Sequence, residues 1–537
     1  MSVFLLVAPL FLGLGLALVS RRTARAAVVL GAATTWVLAV YALAYPARLL
    51  FAPTAQPWLP SLGVSLKLSA DSAALMLVAL AATIGLAVAA LGWRALGVHS
   101  ERGRAAVLGG TLLAASINFL ARDAVLYYAS FEAAIWPALV VLFLRGHSAA
   151  AQTGAQTGAQ PGTAQGPKVA LRFFLYTFAG SLCMLLAFVY LAWRHQALAG
   201  GALTFDLAVL GNTVLPLGEA RWCFLALLAA FAIKLPLIGV HGWLPRTYAE
   251  APAGLVALLT GLLSKLGAYG LFRIALPLFP ATAHRFGPTI TVIALVGCLY
   301  AGLCALRFKS LRLTLAYSSV AHLALLPLGL FSMEPSGLEG FMLAMVAHGL
   351  SASGLFLLVG WLEERAGALH DGELSSDRPW GLASVIPRFA VLFVAFTLAS
   401  LALPGTLNFA GEFLLFLGGF SSSALHPWSR SFVLTALVSV VLGAAYGLGL
   451  VRRVLFGAPR DGSAPGASAP DLAGPQAWGF WGLFVVIVGL GFAPHVLQSP
   501  LKAELSVYRE TFQSRLQSTY LDDEARLLAR GGGLDVR

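Results

Sequence analysis

The chain has 537 residues, of which 59% are apolar and only 11% are charged, and its formal net charge is +12. Because soluble proteins carry about a quarter of their residues as Asp, Glu, Lys and Arg, these values exclude a water-soluble globule and a disordered chain. The mean hydropathy of +0.83 indicates a membrane protein. The basic residues lie singly or in small groups between apolar runs, so the positive charge indicates membrane topology and not nucleic-acid binding.

Apolar runs of about 20 residues, the length that crosses a bilayer as a helix, recur from the N-terminus onwards and predict fourteen membrane spans. The runs cover residues 3–19, 26–45, 72–93, 104–120, 122–144, 168–193, 222–244, 252–279, 287–306, 311–331, 337–361, 385–420, 431–451 and 477–498. The predicted fold class is therefore an all-α polytopic membrane protein.

The distribution of Lys and Arg predicts the topology. Arg21, Arg22 and Arg25 follow the first apolar run, whereas a secretory signal peptide carries its positive charges before that run. When the first loop is placed inside, the inside loops carry 19 basic residues and the outside loops carry 7. The positive-inside rule therefore places both termini outside.

Three segments outside the spans have distinctive compositions. Residues 148–167 repeat Gly, Ala and Gln, and residues 458–475 are rich in Gly, Pro, Ala and Ser, so both are predicted to be flexible linkers without chemistry. The tail from residue 500 to about 530 mixes apolar and charged residues, which predicts an amphipathic helix on the membrane surface or on a partner.

Helix breakers interrupt two of the predicted spans. Pro236 lies in the seventh span, and Pro404 with Gly405 lies in the twelfth. Proline removes a backbone donor, and a pair of broken helices at corresponding positions is typical of inverted-repeat transporters, although each proline can also serve packing alone. We therefore predict N-terminal helices over 1–103, inverted five-helix repeats over 104–280 and 281–455, and a loop, last span and tail over 456–537.

Few charges remain within the spans, where each costs about 2.5 to 3.5 kcal/mol at mid-bilayer. The titratable residues that remain are Glu132 on span 5, Lys234 on span 7, Lys265 on span 8, His322 on span 10, His348 on span 11 and Glu412 on span 12. A structural role is open for each: Glu132 can bond a neighbouring helix, Lys234 can donate to carbonyls freed by the broken turn, and a buried neutral histidine is common. Six such groups on six helices nevertheless favour proton transfer.

The chemistry of these groups suits that role. Burial favours the neutral form of a lysine, whereas a nearby carboxylate favours its charged form. A Glu132–Lys234 pair whose separation changes would therefore switch Lys234 between holding and releasing a proton.

The four cysteines, Cys183, Cys223, Cys298 and Cys304, form no CxxC or Cys/His ligand set, and the chain has no P-loop and no Rossmann fingerprint. We therefore expect energy to reach this chain from outside.

Several ordered motifs together resemble the antiporter-like subunits of respiratory complex I. They are FAIKLPLIGVHGWLP over 231–245, EAP over 250–252, KLGAYG over 265–270, RFFLYT over 172–177, AYSS over 316–319 with His322, HG over 348–349, LPG over 403–405 and GEF over 411–413. The resemblance covers residues 70–455. Within the family, L- and N-type chains usually carry Lys on the twelfth span, so Glu412 favours the M-type chains.

The resemblance implies fourteen spans, two inverted repeats and one proton channel per chain. It implies that Glu132 and Lys234 form a gating ion pair, that Lys265, His322 and His348 form a central relay, and that Glu412 lies on the exit side. NADH, FMN, iron–sulfur clusters and quinone would belong to partner subunits, so no cofactor is expected here. The other membrane subunits of complex I, the lipid bilayer, protons and water are the expected partners.

Two other functions stay open. A monovalent cation/proton antiporter or a membrane-bound hydrogenase subunit would share the fold, and an inert membrane scaffold would only anchor an assembly. The buried titratable groups argue against the scaffold, because Leu and Ala would be more stable at those positions.

The sequence departs from the family at the predicted inner surface. Arg246, Thr247 and Tyr248 stand where the family usually has Asp, Ala and His, and Ser310 and Arg312 stand where it has Asp and Lys. These changes affect the expected route of proton uptake. Asp71 and Asp123 match acidic family positions, and we expect them to have structural roles at the surface.

Overall fold

The computed structural model describes residues 3–45, 53–145, 165–366, 380–457 and 470–529. Fourteen helical segments, here called spans 1 to 14, confirm the predicted architecture. In chain order they are Phe4–Val19, Ala24–Ala44, Ser72–Leu91, Glu101–Leu120, Ala124–Arg145, Gln165–Ala199, Leu217–Lys234 with Leu244–Glu250, Ala253–Leu278, Pro280–Arg307, Leu311–Ser332, Pro335–Ala366, Pro387–Ser400 with Leu407–Ser421, Ser429–Leu455 and Gly474–Phe492.

Eleven of these helices are long and apolar enough to cross a membrane unbroken; the others are the short span 1 and the two broken spans, 7 and 12. The two predicted low-complexity linkers lie largely outside the described residues.

The burial of the spans differs sharply. The most apolar windows of spans 8 and 11 are wholly buried, whereas only 22% of that window is buried in span 14. Spans 8 and 11 therefore form the centre of the bundle.

One surface carries a β-hairpin that the sequence reading did not predict. Strands Thr54–Leu59 and Val64–Leu68 pair antiparallel before span 3. Asp123 caps the start of span 5 and accepts hydrogen bonds from the backbone and side chain of Ser65 in the hairpin. Asp123 is therefore a structural residue. We call this surface the hairpin face.

The tail forms a long helix, His495–Ala529, here called the C-terminal helix. It lies on the hairpin face of its own chain, where it contacts spans 2, 3, 9 and 11. Tyr508 stacks on Phe272 with ring centroids 4.3 Å apart and donates a hydrogen bond to the Phe272 carbonyl. The predicted amphipathic helix thus packs on this chain's own spans.

The breaks in spans 7 and 12 share two backbone features. In span 7 the Leu237 N–H bonds the Ala232 carbonyl, and in span 12 the Leu403 N–H bonds the Leu398 carbonyl, at equivalent positions before each turn. The turn then passes through a glycine with positive φ, 92° at Gly239 and 93° at Gly405. Such a φ is accessible to glycine at no steric cost, so the same kind of turn follows both breaks. Span 12 also has a positive φ of 56° at Ala402, where span 7 has Pro236.

Spans 5 and 10 also share an interruption, which the sequence reading missed. The Ile135 N–H bonds the Glu132 carbonyl, and the Leu325 N–H bonds the His322 carbonyl, so each helix tightens for one turn. Pro137 and Pro327 follow at the same distance. Glu132 and His322 therefore occupy equivalent backbone positions, which supports the proposed division into repeats over 104–280 and 281–455.

Span 8 passes very close to the break in span 7. A Cβ atom added at Gly267 would lie 2.7 Å from the Phe231 carbonyl oxygen and 2.8 Å from the Leu235 nitrogen. Because backbone atoms cannot rotate away, only glycine permits this approach. The close packing of Gly267 keeps the helix that carries Lys265 against the helix end that carries Lys234.

Gly267→Ala should therefore destabilise the protein by about 1 to 3 kcal/mol, the usual cost of overpacking. The measurement is the thermal unfolding midpoint of the purified protein in detergent. Gly482→Ala on span 14 is the matched control, because its added Cβ would meet no atom within 4 Å. Equal midpoints for the two variants would contradict the proposed close packing.

Candidate functional site

Lys265 lies at the centre of the bundle and is bonded to a histidine on another helix. The side chain is completely buried on span 8. Its Nζ is 2.8 Å from Nδ1 of His348 on span 11 and donates to the Thr260 carbonyl at 2.7 Å. The structure thus joins two of the residues that the sequence reading selected.

The helix around Lys265 is irregular. A π-helical turn, Leu259–Leu263, precedes the α-helical turn that carries Lys265, and a second one, Leu271–Ala275, follows it. π-Helical turns are rare and occur frequently at functional sites. Here the first turn presents the Thr260 carbonyl to the Lys265 ammonium group.

A second direct pair links His322 and Glu412. Nδ1 of His322 on span 10 is 2.9 Å from Oε1 of Glu412, which lies on the second half-helix of the broken span 12. The His322 and His348 rings have their centroids 6.4 Å apart. The Lys265–His348 pair and the His322–Glu412 pair are therefore neighbours.

Tyr446 on span 13 is a member of this cluster that the sequence reading missed. Its hydroxyl is 3.2 Å from Nε2 of His322 and 2.9 Å from the Ser318 hydroxyl. Tyrosine is ordinary in an apolar span, whereas a charged residue or a histidine there is rare. The spacing within span 13 alone gives no signal for Tyr446.

Two small cavities meet at His322. The first is lined by polar groups from spans 10, 11 and 12, namely Ser318, Ser319, His322, His348, Ser351, Ser400 and Asn408. The second is lined by His322, Glu412, Ser439 and Tyr446, with Cys298 and apolar residues. Each has room for about one water molecule. Nε2 of His348 has no partner in the described part of the chain, so a water in the first cavity can bond it.

Lys234 and Glu132 are apart in this structure. Nζ of Lys234 donates to the Phe131 carbonyl at 2.6 Å and lies 3.2 Å from the centroid of the Phe131 ring. Within the described residues, Oε1 of Glu132 is buried without a hydrogen-bond partner, and no ion pair joins it to Lys234. The expected gating pair therefore remains a proposal, and this arrangement corresponds to its separated form.

Two of the residues that depart from the family pattern, Ser310 and Arg312, stabilise the face of the bundle opposite the hairpin face. Ser310 caps span 10 by accepting from the Leu313 N–H. Arg312 pairs with both carboxylate oxygens of Glu363 at 2.5 Å and bonds the backbone carbonyls of Tyr248 and Ala251. Tyr248 is completely buried, whereas Arg246 is exposed. Ser310 and Arg312 thus have structural partners of their own.

The described residues include no group of three His, Cys, Asp or Glu side chains that could hold a metal ion. The four cysteines are free thiols, two buried and two half-buried. The lysine, imidazole, phenol and carboxylate groups of the cluster are all groups that can exchange protons.

Comparison with known proteins identifies relatives over most of the chain. The family described as "NADH:quinone oxidoreductase/Mrp antiporter, TM" matches residues 163–448. NADH-quinone oxidoreductase subunit M from Pseudomonas aeruginosa is 33% identical over 447 residues, 81% of each chain. NADH-ubiquinone oxidoreductase chain 4 from Arabidopsis thaliana is 32% identical over 449 residues, 84% of this chain and 83% of the relative.

Solved structures agree with these relatives. A chain of respiratory complex I from Thermus thermophilus, with bound NADH, superposes with a TM-score of 0.78 at 31% identity, covering 95% of this chain and all of that chain. A chain of the Mrp complex from Dietzia sp. DQ12-45-1b has a TM-score of 0.76 at 19% identity, with 95% and 98% covered. The latter shows a shared fold alone.

Replacing Lys265 by methionine tests whether the fold needs this lysine. Burying a lysine is costly, and the Thr260 carbonyl keeps the Ser264 hydroxyl as a donor when the ammonium group is removed, so Lys265→Met should unfold at the same temperature or higher. Thermal unfolding in detergent measures this, with Lys502→Met on the exposed C-terminal helix as the control. A marked fall in the Lys265→Met midpoint alone would assign Lys265 a structural role.

Proposed function

This chain belongs to the family of membrane subunits shared by NADH:quinone oxidoreductases and Mrp antiporters, and on that premise we propose that it is the proton-translocating M-type subunit of respiratory complex I. The observation that carries the proposal is the buried cluster in which Lys265 bonds His348 and His322 bonds Glu412. The chain assembles with other antiporter-like subunits in the membrane arm.

The first step uses the separation of Glu132 and Lys234. When the carboxylate approaches, its charge stabilises the protonated lysine; when it withdraws, burial favours the neutral amine and the proton leaves. The Phe131 carbonyl and ring hold the ammonium group while the carboxylate is away. The pair therefore acts as a gate that loads and unloads Lys234.

The second step passes a proton from Lys265 to Glu412. Protonated Lys265 gives a proton to Nδ1 of His348 and becomes a neutral amine, and His348 releases one from Nε2 to a water in the adjoining cavity. His322 then accepts a proton at Nε2 and releases the other from Nδ1 to the Glu412 carboxylate. Histidine suits this relay because its two ring nitrogens exchange roles near neutral pH.

Redox chemistry belongs to partner subunits in this proposal, which bind NADH, FMN, iron–sulfur clusters and quinone. This chain contributes proton translocation and no redox catalysis of its own. The positive-inside count supports placing both termini and the hairpin face outside, and the bacterial subunit M relatives support a bacterial inner membrane.

A monovalent cation/proton antiporter is the second candidate, because the family includes Mrp subunits. Glu412 and the higher identity to subunit M favour complex I. Purification of the native assembly distinguishes the two candidates. Co-purifying flavin and iron–sulfur subunits support complex I, and their absence with sodium-driven proton exchange supports the antiporter.

Lys234→Ala and Glu132→Ala should each abolish most of the NADH-driven proton uptake in inverted membrane vesicles, because one removes the carrier and the other its gate. Quinone-linked NADH oxidation should be lowered or unchanged, and the complex should remain assembled on native gels. Lys502→Ala is the matched control on the exposed surface. Native proton uptake in both gate variants would reject the gating pair and favour the scaffold.

Tyr446→Phe should lower proton uptake while the His322–Glu412 bond remains. The substitution removes one hydroxyl and leaves Ser318 and Nε2 of His322 without their shared partner, at a cost of about 1 to 3 kcal/mol. NADH-driven uptake in vesicles measures the effect, and Tyr41→Phe on the exposed part of span 2 is the control. Unchanged uptake in Tyr446→Phe would remove Tyr446 from the relay.

A further inference from the structure

Four charged side chains meet where span 8 reaches the hairpin face. Asp71 pairs with Arg122 at 2.5 Å and with Arg273 of span 8 at 2.6 Å, and Arg273 also pairs with Glu504 of the C-terminal helix at 2.9 Å. Each side chain is only 14% to 25% exposed. Two guanidinium groups and two carboxylates thus form a neutral, largely buried network.

Backbone groups complete the network. Asp71 accepts from the Ala74 N–H and Glu504 from the Ala73 N–H, both at the start of span 3. Arg122 donates to the carbonyls of Phe119 and Ala121 at the end of span 4. The network therefore ties spans 3, 4 and 8 to the C-terminal helix and holds each charge in place.

The charges determine which groups are ionised. Burial alone would raise the pKa of Asp71, but the guanidinium groups of Arg273 and Arg122 outweigh it and hold the pKa below its usual value. Burial and the Asp71 carboxylate raise the pKa of Glu504, against the attraction of Arg273. Arginine stays charged throughout.

The network lies in line with Lys265 on the same helix. Tyr269 follows one turn after Lys265, donates to the Phe119 carbonyl and accepts from Nε of Arg273. Arg273 lies one turn further on, about 12 Å from Lys265 along a helix of ordinary rise. A proton that left Lys265 along span 8 would therefore meet a fixed guanidinium group.

We propose that Arg273, held by Asp71 and Glu504, is an electrostatic seal that closes the hairpin-face end of span 8 to protons. Arg273 keeps its proton and is the member of the network that bonds Tyr269, so a proton or hydrated cation that moves along span 8 from Lys265 meets this positive charge before either carboxylate. The seal leaves the sideways route to His348 as the path out of Lys265. This inference rests on the proposed function, because it assumes that Lys265 carries the proton.

The C-terminal helix keeps Glu504 in this position. Tyr508 bonds the Phe272 carbonyl one residue before Arg273, and Arg515 bonds the Pro277 carbonyl and the Asn212 side chain. These contacts flank the network along the helix. The tail thus contributes one carboxylate to a seal inside its own chain.

The test measures passive proton leak through the purified complex in proteoliposomes without NADH, from the decay of an imposed pH gradient read by a trapped pH-sensitive dye. Arg273→Gln should raise the leak several-fold, because it removes the guanidinium group of Arg273 and leaves the carboxylates of Asp71 and Glu504 with Arg122 as their only remaining cation in the network. Arg273→Lys, which keeps the charge, should leak less than Arg273→Gln. Arg509→Gln, at the same face but outside the network, where Arg509 contacts only Glu334 at 4.0 Å among the described ion pairs, should keep the native leak.

The remaining variants separate the possible failures. If the complex with Arg273→Gln does not assemble, the double variant Arg273→Gln/Glu504→Gln is tested instead, because it leaves Asp71 and Arg122 as a neutral pair. A native rate of proton leak in that assembled variant would reject the seal. Lys265→Met added to Arg273→Gln should restore the native leak, and a leak that persists rejects the route through Lys265. If the Lys234→Ala complex keeps native NADH-driven proton uptake while the Arg273→Gln complex leaks protons, the proposed role of this chain in translocation is rejected. The seal at Arg273 is then supported as a barrier to passive leak.

Discussion

The helix interruptions in spans 5, 7 and 8 expose backbone carbonyls that a bilayer core cannot satisfy, and buried side chains of the candidate site or beside it donate to them. In span 5, the Ile135 N–H bonds the Glu132 carbonyl, so the Phe131 carbonyl loses its helical donor, and Lys234 takes that place. In span 8, Lys265 donates to the Thr260 carbonyl within a π-helical turn. The breaks thus supply the acceptors that make buried lysines tolerable.

A carbonyl freed by a helix interruption also explains the position of the Trp243 side chain. In span 7, the Leu237 N–H bonds the Ala232 carbonyl, which frees the Ile233 carbonyl, and the indole N–H of Trp243 donates to it at 2.9 Å. Trp243 therefore stabilises the break in which Lys234 ends its helix.

A lysine that bonds only a carbonyl can release its proton without breaking an ion pair, which suits a group that must alternate between two states.

Much of this arrangement could be predicted from the sequence because its determinants are local. Apolar run length specifies the spans, Pro236 and Pro404 mark the two large breaks, and charges within apolar runs identify Lys265 and Glu412. Tyr446 could not be found in this way, because its role depends on span 13 lying beside span 10. The network of Asp71 with Glu504 joins residues more than 400 positions apart, and only the fold brings them together.

The two halves of the bundle share a backbone and differ in chemistry. Glu132 and His322 occupy equivalent positions before the breaks of spans 5 and 10, while Arg246 and Glu412 lie at equivalent spacings after Gly239 and Gly405. The first half therefore has an acid before the break of span 5 and an arginine after the break of span 7. The second half places a histidine beside an acid. In the function that we propose, this asymmetry places the terminal acceptor of the relay, Glu412, in the second half only, bonded to His322.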